Sequence, residues 1–214
     1  MKSLQVVTPH IKCVFDCPFC ISKGHKHNNA FVNNYLLNYN LWKNNLINVI
    51  KNNNDLKYIV ITGTNEPMQS KDYVNDVIDI VGSVNSNIQI EIQTHYYKED
   101  EIYNKLDVVA YSISNINLLD KIKPIGKIQR YVLIMTDSFN NYDLNSILKL
   151  IPSSVRQITF KKLIDSNTLE KLKEDINNYK GDKSIRLDLD CMNSCNRYKI
   201  FREDGNLYDN WEEV

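Results

Sequence analysis

The sequence has no excess of charge of either sign and no long apolar segment. Its 26 Lys and Arg residues balance its 26 Asp and Glu residues, so the net charge favours neither nucleic acid nor an anionic membrane as a partner. No apolar run approaches the roughly 20 residues that a membrane-spanning helix needs. The first residues also lack a secretory signal pattern. We therefore expect a cytoplasmic protein with no membrane partner. Nucleic acid is not favoured. The candidates for a local basic groove are the run Lys121, Lys123, Lys127 and Arg130 and the pair Lys161 and Lys162, most of which we expect to be solvated.

Cysteine is scarce and unevenly placed. The chain has five cysteines, an odd number that does not suit a framework of paired disulfides. Three of them, Cys13, Cys17 and Cys20, fall within eight residues. In a chain without a signal peptide, such a cluster indicates a metal site rather than disulfides.

Internal repeats and long linkers are also absent, so the 214 residues fit one domain. Strand-like segments alternate with helical segments, which indicates parallel βαβ units. Because an eight-stranded barrel typically takes about 250 residues, we expect an α/β fold with a partial (βα)6 barrel. The predicted strands are residues 4–8, 58–62, 88–94, 108–113, 128–135 and 155–160. The predicted helices are residues 35–50, 101–106, 143–150 and 168–179, with one more capped by Ser70.

The segment after residue 183 departs from this alternation. Asp204 and Gly205 stand between two short apolar segments, a pattern typical of a β-hairpin with a tight turn. We therefore expect residues 1–183 to form the partial barrel. Residues 184–214 are expected to be a C-terminal extension, including the hairpin, packed on the same domain.

The three clustered cysteines form the motif Cys13-Val-Phe-Asp-Cys17-Pro-Phe-Cys20, with spacing C-x3-C-x2-C. The motif follows the carboxyl end of the first predicted strand. Parallel α/β folds build their active and binding sites at the carboxyl ends of their strands. Thiolates are soft ligands that suit iron–sulfur clusters and zinc. A four-iron cluster commonly takes four cysteines, so three local ones would leave one iron open to a small molecule.

The spacing resembles the cluster motif of the radical S-adenosylmethionine (SAM) superfamily, in which an aromatic residue precedes the last cysteine. Phe19 occupies that position. The resemblance implies a [4Fe–4S] cluster on Cys13, Cys17 and Cys20, with SAM bound at the open iron. It implies cleavage of SAM to a 5′-deoxyadenosyl radical that abstracts hydrogen from a substrate. It also implies an electron donor such as a flavodoxin or ferredoxin.

A second motif, Thr62-Gly63-Thr64-Asn65-Glu66-Pro67, follows the second predicted strand. It resembles the Gly-Gly-Glu-Pro element of the same superfamily, in the longer form with one extra residue. By this resemblance, Gly63, Thr64, Asn65 and Glu66 contact the methionine part of SAM. Asn65 departs from the usual second glycine, although Asn tolerates left-handed backbone angles better than most residues.

Polar residues near the ends of later strands extend the resemblance. Gln93 and Ser112 are predicted to contact SAM, with Thr94, His95 and Ser114 as weaker candidates. Arg130 is predicted to pair with the methionine carboxylate, because its guanidinium can bind a carboxylate through two hydrogen bonds. Each of these residues could equally be a strand or turn residue without a role in binding.

The reaction itself stays open. The substrate could be a nucleoside-type or deazapurine-type small molecule or a peptide, and an activating enzyme that installs a glycyl radical on a partner protein is an alternative. A non-catalytic zinc-binding module is another, since His25 and His27 follow the Cys17–Cys20 pair. Two cysteines cannot hold a four-iron cluster without other ligands, so we expect no second cluster on Cys191 and Cys195.

Metal content separates the cluster from the zinc module. We predict that the protein purified without oxygen is brown and holds about four irons per chain. Substituting Cys13→Ala should remove the iron, because each local thiolate binds its own iron. Iron and zinc analysis measures both. A colourless protein that holds zinc regardless of the Cys13 substitution would contradict the cluster.

Overall fold

The computed structural model describes residues 1–20, 34–163, 166–189 and 198–209. Nine strands and five α-helices lie within these ranges. The strands are β1 (Ser3–Thr8), β2 (Tyr58–Gly63), β3 (Gln89–Thr94), β4 (Val108–Ile113), β5 (Ile128–Ile134), β6 (Gln157–Lys161), β7 (Ser184–Asp188), β8 (Lys199–Phe201) and β9 (Leu207–Tyr208). The helices are α1 (Asn34–Leu37), α2 (Tyr39–Lys51), α3 (Lys71–Val84), α4 (Leu144–Leu150) and α5 (Thr168–Asn178). Residues 101–105 form a short 3-10 helix.

The nine strands form one sheet in the order β7-β6-β5-β4-β3-β2-β1-β8-β9. Every neighbouring pair is parallel except β8 and β9. Among the described strands the sheet is open, with β7 at one edge and β9 at the other. The prediction of an α/β fold built from parallel strands is confirmed.

The sheet has one face covered by helices and one open face. Because β1 to β6 follow one another in chain order, right-handed crossovers place their connections on the same side of the sheet. Ile59 and Ile61 on β2, and Tyr131 and Leu133 on β5, are fully buried in the core on that side. The alternate residues of these strands point to the open face.

The C-terminal hairpin is confirmed, and it extends the sheet. Strands β8 and β9 pair antiparallel. Gly205 in their turn has a φ of 79°, a backbone conformation that residues other than glycine rarely adopt. Strand β8 also pairs in parallel with β1. The hairpin therefore covers the lateral edge of β1, the strand that precedes the cysteine motif.

Several predicted elements need correction. Strand β7 was not expected, because its exposed Arg186 and half-buried Asp188 interrupt the apolar residues; it pairs in parallel with β6. The helix predicted for residues 35–50 is interrupted at Asn38. Ser70 precedes α3, but its side chain forms no capping hydrogen bond, so that predicted contact is wrong. No helix in the described part of the chain is both long and apolar enough to cross a bilayer.

Trp42 on α2 is the largest fully buried side chain in the described core. It packs against Tyr35 and Tyr73, with ring centroids 4.9 Å away in each case, and against Phe201 of β8 at 6.1 Å. We predict that Trp42→Ala lowers the free energy of unfolding by about 3–5 kcal/mol, because it removes a large buried ring. Chemical denaturation measures the change.

The adjacent residue provides a matched control. Leu41 is 55% exposed, so Leu41→Ala should change the free energy of unfolding by less than about 0.5 kcal/mol. Equal losses of stability for the two substitutions would contradict the packing described here.

Candidate functional site

The ends of β1 and β2 bring the two sequence motifs together. These strands are parallel neighbours in which Thr8 aligns with Gly63. The loop after β1, called the cysteine loop (residues 9–20), and the turn after β2, called the 63–67 turn, therefore leave the sheet side by side. Strand pairing places next to each other two segments that are about fifty residues apart in sequence.

Asn65 fastens the 63–67 turn to the end of β1. The Thr8 hydroxyl donates a hydrogen bond of 2.6 Å to Asn65 Oδ1, and Asn65 Nδ2 donates one of 3.0 Å to the Pro9 carbonyl. A Cβ atom at Gly63 would lie only 2.0 Å from the Thr8 Oγ1 atom, so this position requires glycine. The side-chain amide that was predicted to contact SAM is thus engaged within the protein.

Glu66 ties the same turn to the end of β3. Its carboxylate accepts hydrogen bonds from the Thr94 hydroxyl, from the His95 backbone N–H at 2.7 Å and from the Met68 N–H at 3.0 Å. Burial raises the pKa of Glu66, and the three hydrogen bonds oppose that rise. Glu66 is only 4% exposed, so its side chain holds the turn in place.

The cysteine loop is held by side chains from outside it. Gln69 accepts a hydrogen bond of 2.8 Å from the Val14 N–H and donates one of 3.1 Å to the Lys12 carbonyl. The buried Glu203, just after β8, accepts a hydrogen bond of 3.2 Å from the His10 N–H. The His10 ring in turn lies 3.0 Å from the Thr64 hydroxyl. Sequence reasoning missed Gln69 and Glu203, because neither lies in a motif.

One cavity of about 230 Å³ opens between the cysteine loop, the 63–67 turn and the ends of β3, β4 and β6. It gathers most of the residues that the sequence singled out. The predicted residues that line it are Cys13, Cys17, Cys20, Phe19, Gly63, Thr64, Asn65, Glu66, Gln93 and Ser112. The three cysteines are partly buried and form no disulfide among the described residues.

Arg130 lies away from this cavity. Its Nη1 atom is 2.6 Å from Glu91 Oε2, and its Nε and Nη2 atoms donate to Gln157 Oε1 at 2.9 and 2.8 Å. Arg130 is the third residue of β5 and aligns with Ala110, two residues before Ser112 on β4. It therefore lies deeper along the strands than the cavity, bound to groups of the protein itself.

His95 is a neutral polar group beside the site. It lines the cavity, with its ring centroid 6.0 Å from that of Phe15. Burial lowers its pKa, which favours the uncharged imidazole at neutral pH. Its Nε2 atom is buried and has no hydrogen-bond partner among the described residues.

The thiols do not form a ligand set for a single ion. Among the described residues, no three His, Cys, Asp or Glu side chains form a group that could hold one metal ion. A four-iron cluster needs a different arrangement, since each thiolate binds its own iron and the sulfurs are spread around a cube. The three cysteines of the loop line one shared opening. His25, His27, Cys191 and Cys195 lie outside the described residues.

No family model matches the sequence, and no curated protein matches it either. The case for a function therefore depends on the residues of this chain and their arrangement.

We predict that Gln69→Ala loosens the cysteine loop without unfolding the protein. The amide of Val14 should exchange its hydrogen about fivefold faster, because a hydrogen bond to a side chain contributes about 1 kcal/mol. Hydrogen exchange read residue by residue measures the effect. Gln89→Ala, an exposed change at the start of β3, should leave exchange at Val14 unaltered. Unchanged hydrogen exchange at Val14 in the Gln69 variant would contradict the role of Gln69 in holding the cysteine loop.

Proposed function

We propose that the protein is a radical SAM enzyme. The observation that carries the proposal is the shared cavity, in which the three cysteines of one motif meet the 63–67 turn of the other. Either motif alone could be an ordinary loop with no role in binding. Their convergence on one opening at the carboxyl ends of parallel strands supports a common site.

In this proposal Cys13, Cys17 and Cys20 hold a [4Fe–4S] cluster through their thiolates. When the cluster and SAM are both bound, the chemistry available is one-electron cleavage of SAM to methionine and a 5′-deoxyadenosyl radical, which takes a hydrogen atom from the substrate. The chain itself supplies binding, orientation and shelter from water. Phe15 and Phe19 line the opening beside the thiols.

The 63–67 turn is proposed to receive the methionine ammonium. An ammonium has three donors and needs acceptors at close range. Asn65 and Glu66 use their side chains to fix the turn, so the backbone carbonyls of Gly63 and Thr64 are the acceptors we assign. Gln93 and Ser112 are assigned to the remaining polar contacts with SAM. Arg130 is left out, because Glu91 and Gln157 occupy its guanidinium.

The finer description of the fold belongs to the same proposal. We infer that β1 to β6 and their connections form a partial (βα)6 barrel, which the sequential parallel order supports. Thiolate ligands of a cluster fit a reducing compartment such as the cytoplasm. A flavodoxin or ferredoxin is proposed as the electron donor.

The proposal predicts a product that can be measured without knowing the substrate. The reconstituted and reduced protein should convert SAM to 5′-deoxyadenosine and methionine, as detected by chromatography with mass spectrometry. Substituting Cys20→Ser should lower the yield to the level of a protein-free control, because the cluster loses one of its three protein ligands.

Cysteine variants outside the motif provide the control. Cys191→Ser and Cys195→Ser should retain the iron content and the yield of 5′-deoxyadenosine, since neither residue is assigned to the cluster. Absence of 5′-deoxyadenosine from a wild-type protein that holds four irons would refute the proposal.

A further inference from the structure

Two lysines give the candidate cavity an unbalanced positive charge. The charged residues that line it are Glu66, Lys161 and Lys162. The Glu66 carboxylate is buried and already accepts three hydrogen bonds from Thr94, His95 and Met68. Since its oxygens are engaged, Glu66 does not balance the charges of the two lysines that line the cavity.

Lys161 is the last residue of β6 and points to the open face of the sheet. Its neighbour Phe160 is fully buried in the core, and side chains alternate along a strand, so Lys161 points the opposite way. Within the described part of the chain, Lys161 forms no ion pair. Its aligned neighbours are Ile134 on β5, which also lines the cavity, and Asp188 on β7, which does not.

Lys162 is partly neutralised. Its Nζ atom lies 3.4 Å from Glu170, which also approaches Lys173 at 3.7 Å. All three side chains are between 35% and 44% exposed. Exposed ion pairs of this kind are weak, so Lys162 keeps part of its attraction for another anion.

Lys161 and the turn that is assigned to the methionine part of SAM follow strands that are not neighbours. Strand β6 is four strands from β2. With a strand spacing of about 4.8 Å, this corresponds to ~19 Å measured along the sheet. We therefore assign the anion at Lys161 and the amino acid group at the 63–67 turn to two different ligand groups that share the cavity.

We propose that the substrate of this enzyme carries a carboxylate or a phosphate that binds to Lys161, with Lys162 as a second cation. The inference rests on the proposed function, because it assigns the ligand of this cavity as the substrate of the radical reaction. A compact ammonium binds either anion as a point charge. The lysines thus select substrates by charge.

Binding of simple anions to the full-length protein tests the inference. The amide resonances of Ile134 and Leu163, which line the cavity next to the lysines, can be followed by NMR. Separate titrations with inorganic phosphate, acetate and L-methionine tell the two anion chemistries apart from the amino acid. We expect phosphate, acetate or both to shift these resonances, and L-methionine to shift them less.

Charge variants give the expected order of affinities. Lys161→Gln should weaken anion binding about fivefold to tenfold, because a hydrogen bond to a charged group is lost at a partly exposed site. Lys161→Arg should retain binding. Asp188→Asn should strengthen it about twofold, since a neighbouring negative charge is removed. Lys173→Gln, outside the cavity, should match the wild type.

The outcomes separate this inference from the proposed function. Equal affinity of wild type and Lys161→Gln for both anions would overturn the inference, as would shifts produced by L-methionine alone. The 5′-deoxyadenosine assay is independent of these titrations. A wild-type protein that binds phosphate through Lys161 and forms no 5′-deoxyadenosine would overturn the proposed function, while the anion site would stand.

Discussion

The parallel pairing of β1 with β2 is the constraint on which the candidate site depends. It places Thr8 opposite Gly63, so the cysteine loop and the 63–67 turn begin as neighbours. The two hydrogen bonds of Asn65 to Thr8 and Pro9 then keep the segments together beyond the end of the sheet. Without this pairing, the cysteines and the turn would be two unrelated loops.

The polar side chains near the site mostly serve the protein rather than a ligand. Asn65, Glu66 and Gln69 use their hydrogen-bonding groups to fix the turn and the cysteine loop. A buried polar network that is well satisfied is rigid, and rigid support is what a catalytic constellation needs. The proposed site therefore consists of thiols, backbone groups, aromatic rings, the side chains of Gln93 and Ser112, and the two lysines, all on a fixed frame.

Local patterns predicted most of the fold. The buried strand of residues 108–113 matches β4, and the Asp204-Gly205 turn correctly located the hairpin. Strand β7 was not predicted, because its formation depends on pairing with β6. A short polar segment does not reveal such a long-range contact. Strands β7 to β9 lie in the same sheet as the earlier strands.

The site could be predicted where chemistry and spacing coincide, as in the cysteine motif and the 63–67 turn. Arg130 shows where such reasoning stops. Strand β5 was predicted correctly, but the position of a residue along the strand decides whether its side chain reaches the cavity. Arg130 also pairs with Glu91, which lies two strands away in the sheet. Lys161 occupies the cavity end of its own strand, a position that follows only from where β6 ends.

The most direct test of the account is the distance between a cluster and the amino group of SAM. Electron-nuclear double resonance on the reduced, cluster-loaded protein, with SAM labelled with ¹⁵N at the methionine amino group, measures that proximity. We expect a clear hyperfine coupling between the nitrogen and the cluster, as direct ligation to an open iron requires. A reduced cluster that binds SAM and shows no such coupling would contradict the shared site on which the whole account rests.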